Sequence, residues 1–254
     1  MNARADYPSL KHKEWAAMVR RLDHFTGELV ARLKQLGVYE NTIIFFASDN
    51  GYSECGYFGR GNANNNWPDD PFLKNKGPFR GGKFSALEGG IRVPFFVHWK
   101  GKVAPGVSSE PVWLLDFYPT AAELSGAPVR HEIDGVSLVP LLAGQAAGLP
   151  ARPYMYWEKR DEQAVRMGPW KAYRPHPRQP VQLFLIEEDT YSGRDLAAFY
   201  PEVVQRIEHI MSQAHTDHPW YHNPGETKAD DAAKHKLAEG RGELQISILA
   251  NSTR

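Results

Sequence analysis

The 254-residue sequence has one cysteine, no excess of either charge and no long apolar run. The single cysteine, Cys55, excludes an internal disulfide framework. Lys and Arg together number 30, as do Asp and Glu, so no net charge is available to attract nucleic acid or a strongly charged partner. No segment approaches the roughly 20 apolar residues of a membrane-spanning helix. These absences leave a globular chain, long enough for one large domain or two smaller ones.

The N-terminal segment also lacks a feature that exported proteins have. Its first 13 residues are polar and contain no apolar stretch of the kind found in a secretory signal peptide. The chain as written is therefore predicted to be cytoplasmic, with no membrane partner.

The first half of the chain alternates helical and strand-like segments. Residues 14–36 carry apolar side chains at intervals of three or four, which predicts an amphipathic helix that ends at Gly37. Residues 42–47 form a wholly apolar run, typical of a strand buried on both faces, and residues 91–99 form a second strand-like run. The Gly-, Asn- and Pro-rich residues 48–90 are predicted to form a long functional loop. This order favours an α/β fold, with helices on the faces of a sheet.

The second half has a different pattern. Short strand-like runs separated by turn residues predict an antiparallel meander, and they occupy residues 154–158, 164–167, 170–173 and 181–186. Pro201 then begins an amphipathic helix. The predicted organisation is an α/β portion over residues 1–150, an antiparallel α+β subdomain over 151–223, and a polar tail or loosely packed helix over 224–254.

The segment Ser48-Asp49-Asn50-Gly51 directly follows the first predicted strand. Ligands of open α/β sheets bind at the carboxyl ends of strands, and a carboxylate beside an amide oxygen suits Ca²⁺ or Mg²⁺. The same residues also form good turns, and on these residues alone a turn is the better interpretation.

A second candidate segment runs from Gly77 to Lys83, with the sequence Gly-Pro-Phe-Arg-Gly-Gly-Lys. Its paired glycines would allow a close backbone approach to a ligand, and Arg80 and Lys83 supply positive charge for an oxyanion. The segment is not a P-loop, because Phe84 follows the lysine. Taken alone, a solvated loop with scattered basic residues is the simpler interpretation.

A third group consists of His215, Asp217, His218 and His222. Their close spacing raises the possibility of a Zn²⁺ site. They follow the end of a predicted helix in a Pro- and Trp-rich stretch, which favours a solvated or substrate-rim loop.

Taken together and in order, these segments resemble the sulfatase family. The resemblance is carried by the strand with its Ser-Asp-Asn-Gly, the long loop, and the Gly-Pro-Phe-Arg-Gly-Gly-Lys segment. It continues through further segments, which are Leu87–Pro94, Trp99–Gly106, Leu115–Thr120, Asp134–Leu142 and Ala164–Lys171. It extends from about residue 14, in the opening helix, to about residue 222.

The resemblance implies roles for three residues. Sulfatases bind one divalent cation, usually Ca²⁺, through the Asp and Asn of this motif and two further acidic residues that lie nearer the N-terminus. Asp49 and Asn50 are therefore expected to be metal ligands. The lysine of the Gly-Gly-Lys position contacts the sulfate, which indicates Lys83. Glu88 and Arg92 are predicted to be structural, locking the loop before the second strand.

The chain departs from the family at the nucleophile. Sulfatases use a formylglycine made from Cys or Ser in a Cys/Ser-x-Pro/Ala-x-Arg motif. Cys55 is followed by Tyr57 at the Pro/Ala position and by Gly59 at the Arg position, so it does not match the motif. Ser109 has the proline but Trp113 in place of arginine. The remaining metal ligands and the first strands of the sheet also belong before residue 14 in the family pattern. The chain is thus expected to correspond to the C-terminal part of an alkaline-phosphatase-like sulfatase.

The predicted function is hydrolysis of an aryl or carbohydrate sulfate ester by the complete enzyme, with little activity from this chain alone. The alternatives are a phosphatase or phosphonate-ester hydrolase of the same superfamily, and a non-catalytic remnant that binds a partner or a sulfated glycan. A sheet without its first strands would expose a strand edge. Either a separate N-terminal half or self-association would cover that edge. The family is usually exported, in contrast to the cytoplasmic location predicted from the N-terminus.

Overall fold

The structure, a computed structural model, describes residues 10–51, 78–189, 192–218 and 220–240. The helices are α1 (Leu10–Gln35), α2 (Glu88–Ile91), α3 (Phe117–Ser125), α4 (Val139–Leu142), α5 (Pro201–Ala214) and α6 (Lys228–Gly240). The strands are β1 (Ile44–Ala47), β2 (Phe95–His98), β3 (Met155–Lys159), β4 (Glu162–Met167), β5 (Trp170–Arg174) and β6 (Gln182–Leu185). Cys55, which fails the nucleophile motif, lies outside the described residues.

The chain divides into two compact units that interleave along the sequence. The first comprises residues 1–48 and 94–152, and the second comprises residues 49–93 and 153–254. The predicted loop after β1 is therefore grouped with the C-terminal meander, although β1 itself belongs to the first unit.

In the first unit, β1 and β2 pair antiparallel, with Phe45 opposite Val97 and Phe46 opposite Phe96. Phe45 meets the ring of Phe117 edge-on at 5.1 Å. The prediction that residues 42–47 are buried on both faces is wrong for this chain, because Phe46 and Ala47 are exposed. The two-stranded sheet offers too little neighbouring structure to cover both faces of the strand.

Helix α1 has the predicted amphipathic pattern but little to pack against. Among residues 13–35, whose side chains are described, only Ala16 is buried. The apolar side chains predicted to face a core are instead exposed, namely Trp15, Met18, Leu22, Phe25 and Leu29. An apolar stripe of this extent is typical of a surface that another part of a protein covers.

Asp116 organises the rest of the first unit. Its side chain is fully buried, and its carboxylate accepts hydrogen bonds from the backbone N–H groups of Trp113 and Val136. The same carboxylate forms an ion pair with Arg152 at 2.6 Å. Two of the segments that carry the sulfatase resemblance, Leu115–Thr120 and Asp134–Leu142, are thus joined through one buried charge.

The second unit is built on the predicted meander, a four-stranded antiparallel sheet in the order β3-β4-β5-β6. Side chains alternate between its two faces. One face packs against α5 through a core that contains Val165, Ala172, Leu183, Ile207 and Met211. Antiparallel pairing and the helix after Pro201 are both as predicted.

The opposite face of this sheet packs against the segment that follows Lys83. Ala86 and Leu87 form a buried cluster with Ala164, Tyr173 and Phe184 of the sheet. The Glu162 carboxylate also accepts a hydrogen bond from the Ala86 backbone N–H at 2.9 Å. The sheet is therefore the base on which the glycine-rich segment lies.

Of the helices within the described ranges, none is long and apolar enough to span a membrane.

Candidate functional site

The segment Asp49-Asn50-Gly51 leaves β1 in a tight local conformation. The backbone N–H of Asn50 donates to the Asp49 carboxylate at 2.9 Å, and the Asn50 side-chain amide donates to the Gly51 carbonyl at 2.9 Å. The second bond fixes which end of the amide is the oxygen. Asp49 is exposed and Asn50 is partly buried, so their oxygen atoms are offered near the protein surface.

Gly51 fastens this segment to α2. Its backbone N–H donates to the carbonyl of Gly90 at 2.8 Å. The two backbones are so close that a Cβ atom at Gly51 would lie 1.8 Å from the Gly89 carbonyl oxygen. Only glycine fits this contact, because real Cβ atoms never approach a backbone oxygen so closely.

The other side of α2 contacts the second predicted segment in the same way. Gly89 donates its backbone N–H to the Arg80 carbonyl at 2.8 Å, and a Cβ atom at Gly89 would lie 2.0 Å from the Gly81 carbonyl oxygen. A Cβ atom at Gly90 would lie 2.4 Å from the Gly82 carbonyl oxygen. The short helix α2 is thus the piece of backbone that joins the Asp-Asn-Gly segment to the Gly-Gly-Lys segment.

Lys83 follows this junction and is partly buried. Its ammonium nitrogen lies 5.4 Å from the centroid of the Phe84 ring, and the ammonium nitrogen of Lys159 lies 5.2 Å from the same centroid. Lys159 also donates to the Phe84 carbonyl. Phe84 has a φ of 75°, an unusual backbone conformation for an aromatic residue. Both ammonium groups therefore contact the same aromatic ring.

Beneath this segment lies a buried ion pair. Glu88, the first residue of α2, is almost fully buried, and its carboxylate lies 3.3 Å from the ammonium nitrogen of the fully buried Lys171 on β5. The prediction that Glu88 and Arg92 are structural agrees with this geometry, since Arg92 contacts Glu88 from the solvent side at 3.8 Å. Burial lowers the pKa of Lys171, and the Glu88 carboxylate acts in the opposite direction.

The C-terminal histidines bind different carboxylates rather than one shared centre. His215 bridges Glu158 and Asp217, each at 2.8 Å. His222 bridges Asp231 at 2.8 Å and Asp161 at 3.1 Å. Hydrogen bonds to the Asp231 and Asp161 carboxylates raise the pKa of His222, which favours its charged form.

One group in the described part of the chain has ligand atoms close enough for a metal ion, and it consists of His222, Glu226 and Asp231. The Lys234 ammonium group already forms ion pairs with this cluster. Its nitrogen lies 2.6 Å from a Glu226 carboxylate oxygen and 3.6 Å from an Asp231 carboxylate oxygen. We therefore interpret the cluster as an ion-pair network that attaches α6.

The donor chemistry fits a hard cation better at Asp49 and Asn50. Each contributes an oxygen atom, as Ca²⁺ and Mg²⁺ prefer. Two residues form only part of the six to eight oxygens that Ca²⁺ takes. Asp49 and Asn50 therefore offer oxygen atoms of the kind that a hard cation prefers, and Lys83 carries positive charge in the segment that α2 joins to theirs.

Comparison with known proteins shows what the chain is similar to. The sequence model of the sulfatase family matches residues 7–127. The steryl-sulfatase of Mus musculus is 36% identical over 171 residues, which are 64% of this chain and 26% of the relative. The solved structure of Ps i-CgsB in complex with k-i-k-neocarrahexaose is 30% identical, with a TM-score of 0.69 over 92% of this chain and 49% of that one.

Over these stretches the sequence of this chain is similar to sulfatases, and the family model covers slightly less than half of it. The resemblance seen in the ordered motifs is thereby confirmed, as is the α/β fold of the alkaline-phosphatase-like sulfatases. That fold is also shared with the phosphonate monoester hydrolase of Agrobacterium radiobacter, at 21% identity and a TM-score of 0.55. The chain spans about a quarter of the length of the mouse relative and about half of the Ps i-CgsB chain.

Sequence reasoning missed the contacts of two lysines next to the candidate site. Alternation correctly places Lys171 on the face of the sheet opposite Ala172, but it does not indicate the contact with Glu88. Lys159 begins the hairpin between β3 and β4, at which no local motif indicates a contact with Phe84. Both contacts connect residues more than 70 positions apart, beyond the reach of local patterns.

Proposed function

We propose that this chain supplies the metal-binding and sulfate-binding side of a sulfuric ester hydrolase. Asp49 and Asn50 are the metal ligands, with Ca²⁺ as the cation, and Lys83 contacts the sulfate. The observation that carries this proposal is the glycine-mediated backbone packing through α2, which brings the Asp-Asn-Gly and Gly-Gly-Lys segments to one place. Neither segment was convincing alone, and their assembly supports a common role.

The residues divide the chemistry between them. The Asp49 carboxylate and the Asn50 amide would hold the cation, which when bound polarises the sulfate and helps activate the nucleophile. The Lys83 ammonium would stabilise the negative charge that develops on the sulfate oxygens as the S–O bond breaks. Lys159 lies against the same Phe84 ring and adds positive charge at this side of the site.

The substrate is proposed to be an aryl or carbohydrate sulfate. Proteins similar to this chain carry the names arylsulfatase A, in Homo sapiens at 36% identity, and N-acetylgalactosamine-6-sulfatase, in Mus musculus at 34% identity. The oligosaccharide bound to Ps i-CgsB is consistent with the carbohydrate class. A phosphonate or phosphate ester is not favoured, because the phosphonate monoester hydrolase is similar in fold alone.

The remainder of the site is proposed to come from other residues of a complete sulfatase. No Cys/Ser-x-Pro/Ala-x-Arg sequence occurs among the 254 residues, so this chain holds no formylglycine motif. The exposed apolar stripe of α1, together with Phe46 and Phe96, would be covered by that remainder. Self-association through the same surface is the competing explanation for its exposure.

We expect purified chain to show no turnover of 4-nitrophenyl sulfate above the background of Lys83→Ala protein. The physical reason is the lack of a nucleophile motif, since charge stabilisation by Lys83 has no attacking group to assist. Release of 4-nitrophenol measures this directly, and a full-length sulfatase serves as the positive control. Turnover that is lost in the Lys83→Ala variant would refute the predicted inactivity while supporting sulfate-ester chemistry at this site.

A further inference from the structure

The glycine junction has no side chains of its own to hold it in place. Gly89 and Gly90 supply two of the four residues of α2, and a helix of one turn is unstable without tertiary contacts. Glycine also loses more conformational freedom on folding than any other residue. The position of α2 must therefore be fixed by its remaining side chains and by the structure beneath it.

Glu88 is the side chain through which α2 meets the sheet. Its carboxylate points to Lys171, whose side chain is fully buried on β5 and whose ammonium group also lies 4.4 Å from the centroid of the Trp157 ring. The hydrophobic cluster of Ala86, Leu87 and the sheet surrounds this region. A charge buried in such surroundings is costly unless it is paired, so each partner constrains the other.

We infer that Lys171 is a positioning residue for the proposed metal and sulfate site. It anchors Glu88 and thereby α2, whose glycines in turn hold Gly51 beside the proposed metal ligands and Gly82 beside Lys83. This inference rests on the proposed function for its meaning, although the positioning itself is a property of the described contacts. Lys171 touches neither a metal ligand nor Lys83 and acts through Glu88 and the backbone.

The chain of contacts makes a directional prediction. Lys171→Met nearly retains the length of the side chain but leaves the buried Glu88 carboxylate with only the half-exposed Arg92 at 3.8 Å, which is costlier than removing both charges of the buried pair together. The Gly51 amide lies two steps away, through the hydrogen bond to Gly90. Loosening of α2 should therefore expose the Gly51 amide to solvent while the sheet below remains closed.

The test is hydrogen exchange of individual amides in the full chain, resolved by NMR. In Lys171→Met, and in Glu88→Gln as a second variant with little change of shape, we expect exchange of the Gly51 and Gly89 amides to accelerate at least tenfold. Amides of β4 and β5 should keep their wild-type rates. The Lys171→Met/Glu88→Gln double variant, which buries no charge in this pair, should recover most of the protection.

Arg92→Met is the matched control, because Arg92 also contacts Glu88 but is half exposed. We expect it to leave the Gly51 amide unchanged. Unaltered Gly51 exchange in both Lys171→Met and Glu88→Gln would overturn the inference. So would an equal acceleration throughout β4 and β5, since that is global destabilisation, and so would a double variant no better protected than the single ones.

Titration with Ca²⁺ separates this inference from the proposed function. Asp49→Ala should abolish Ca²⁺ binding while leaving the exchange of the Gly51 amide as in wild type. If wild-type protein binds no Ca²⁺ but the exchange results hold, the proposed function fails and the positioning role of Lys171 stands. If Ca²⁺ binds at Asp49 and the exchange of the Gly51 amide is unchanged in Lys171→Met, the positioning role of Lys171 fails and the proposed function stands.

Discussion

Replacement of Gly51 by alanine is expected to detach the Asp49-Asn50 segment from α2. The added Cβ would lie 1.8 Å from the Gly89 carbonyl oxygen and 2.9 Å from the Gly90 Cα. These are backbone atoms, which cannot move aside as the end of a flexible side chain could. We expect a loss of about 3 kcal/mol or more in local stability, at the upper end of typical overpacking costs. Ca²⁺ binding should be lost with it.

Gly27→Ala provides the control for this prediction. Gly27 lies within α1, where a Cβ atom would have nothing within 4 Å, so the same substitution should stabilise the helix by about 0.5–1 kcal/mol. Both variants should be compared by hydrogen exchange of the amides of residues 88–91 and by Ca²⁺ titration. Wild-type exchange and wild-type Ca²⁺ affinity in Gly51→Ala would show that the junction is not needed to hold the site together.

Asp116→Ala is expected to have the largest effect in the first unit. Its loss leaves Arg152 buried without a carboxylate, because the Arg152 side chain is only 11% exposed and that of Asp116 is 0% exposed. The N–H groups of Trp113 and Val136 lose their acceptor in the same change. Breaking a buried ion pair from one side costs about 3–5 kcal/mol, which is a large part of the stability of a typical domain.

Urea denaturation followed by circular dichroism measures the decrease in the free energy of unfolding. Asp134→Ala is the matched control, since Asp134 is exposed in the neighbouring segment and should change stability by less than about 0.5 kcal/mol. Asp116→Ala/Arg152→Ala should be more stable than Asp116→Ala, because no unpaired charge remains buried. Equal stability of the two aspartate variants would contradict the role assigned to Asp116.

Much of the fold could be predicted from the sequence, because its elements follow from local periodicity. The short strand-like runs of residues 154–186, separated by turn residues, predicted the meander, and Pro201 marked the start of α5. The failure at residues 42–47 has a physical cause. An apolar run indicates what a strand would bury in a complete sheet, and the chain provides β1 with only one described partner, β2.

The candidate site was predictable in its residues but not in its assembly. Asp49, Asn50 and Lys83 were identified by the order of motifs, and their roles remain predictions. The paired glycines Gly81 and Gly82 were expected to let the backbone approach a ligand closely. In the structure their carbonyl groups pack against the backbone of α2. That contact joins Gly51 to Gly90, 39 positions later, and no periodic pattern reports a contact at such a separation.

The histidines show the opposite case, in which proximity in sequence does not mean a shared site. His215, His218 and His222 were considered as a Zn²⁺ centre, and a solvated or rim loop was the preferred alternative. His215 and His222 are each held between two carboxylates, whereas the His218 ring accepts a hydrogen bond from the Trp220 backbone N–H. Of the three, His222 contributes to the attachment of the C-terminal segment, since its partner Asp231 belongs to α6.

The central claim is that Asp49 and Asn50 bind a cation next to the Gly-Gly-Lys segment. Paramagnetic broadening of amide NMR resonances by Mn²⁺, a cation that also prefers oxygen ligands, locates the binding site most directly. We expect weak binding, with a Kd on the order of 10⁻³ M. Broadening should be centred on residues 49–51 and 81–83 in wild type and absent from them in Asp49→Ala. Broadening centred on His222, Glu226 and Asp231 instead, or none at residues 49–51 at saturating Mn²⁺, would contradict the claim.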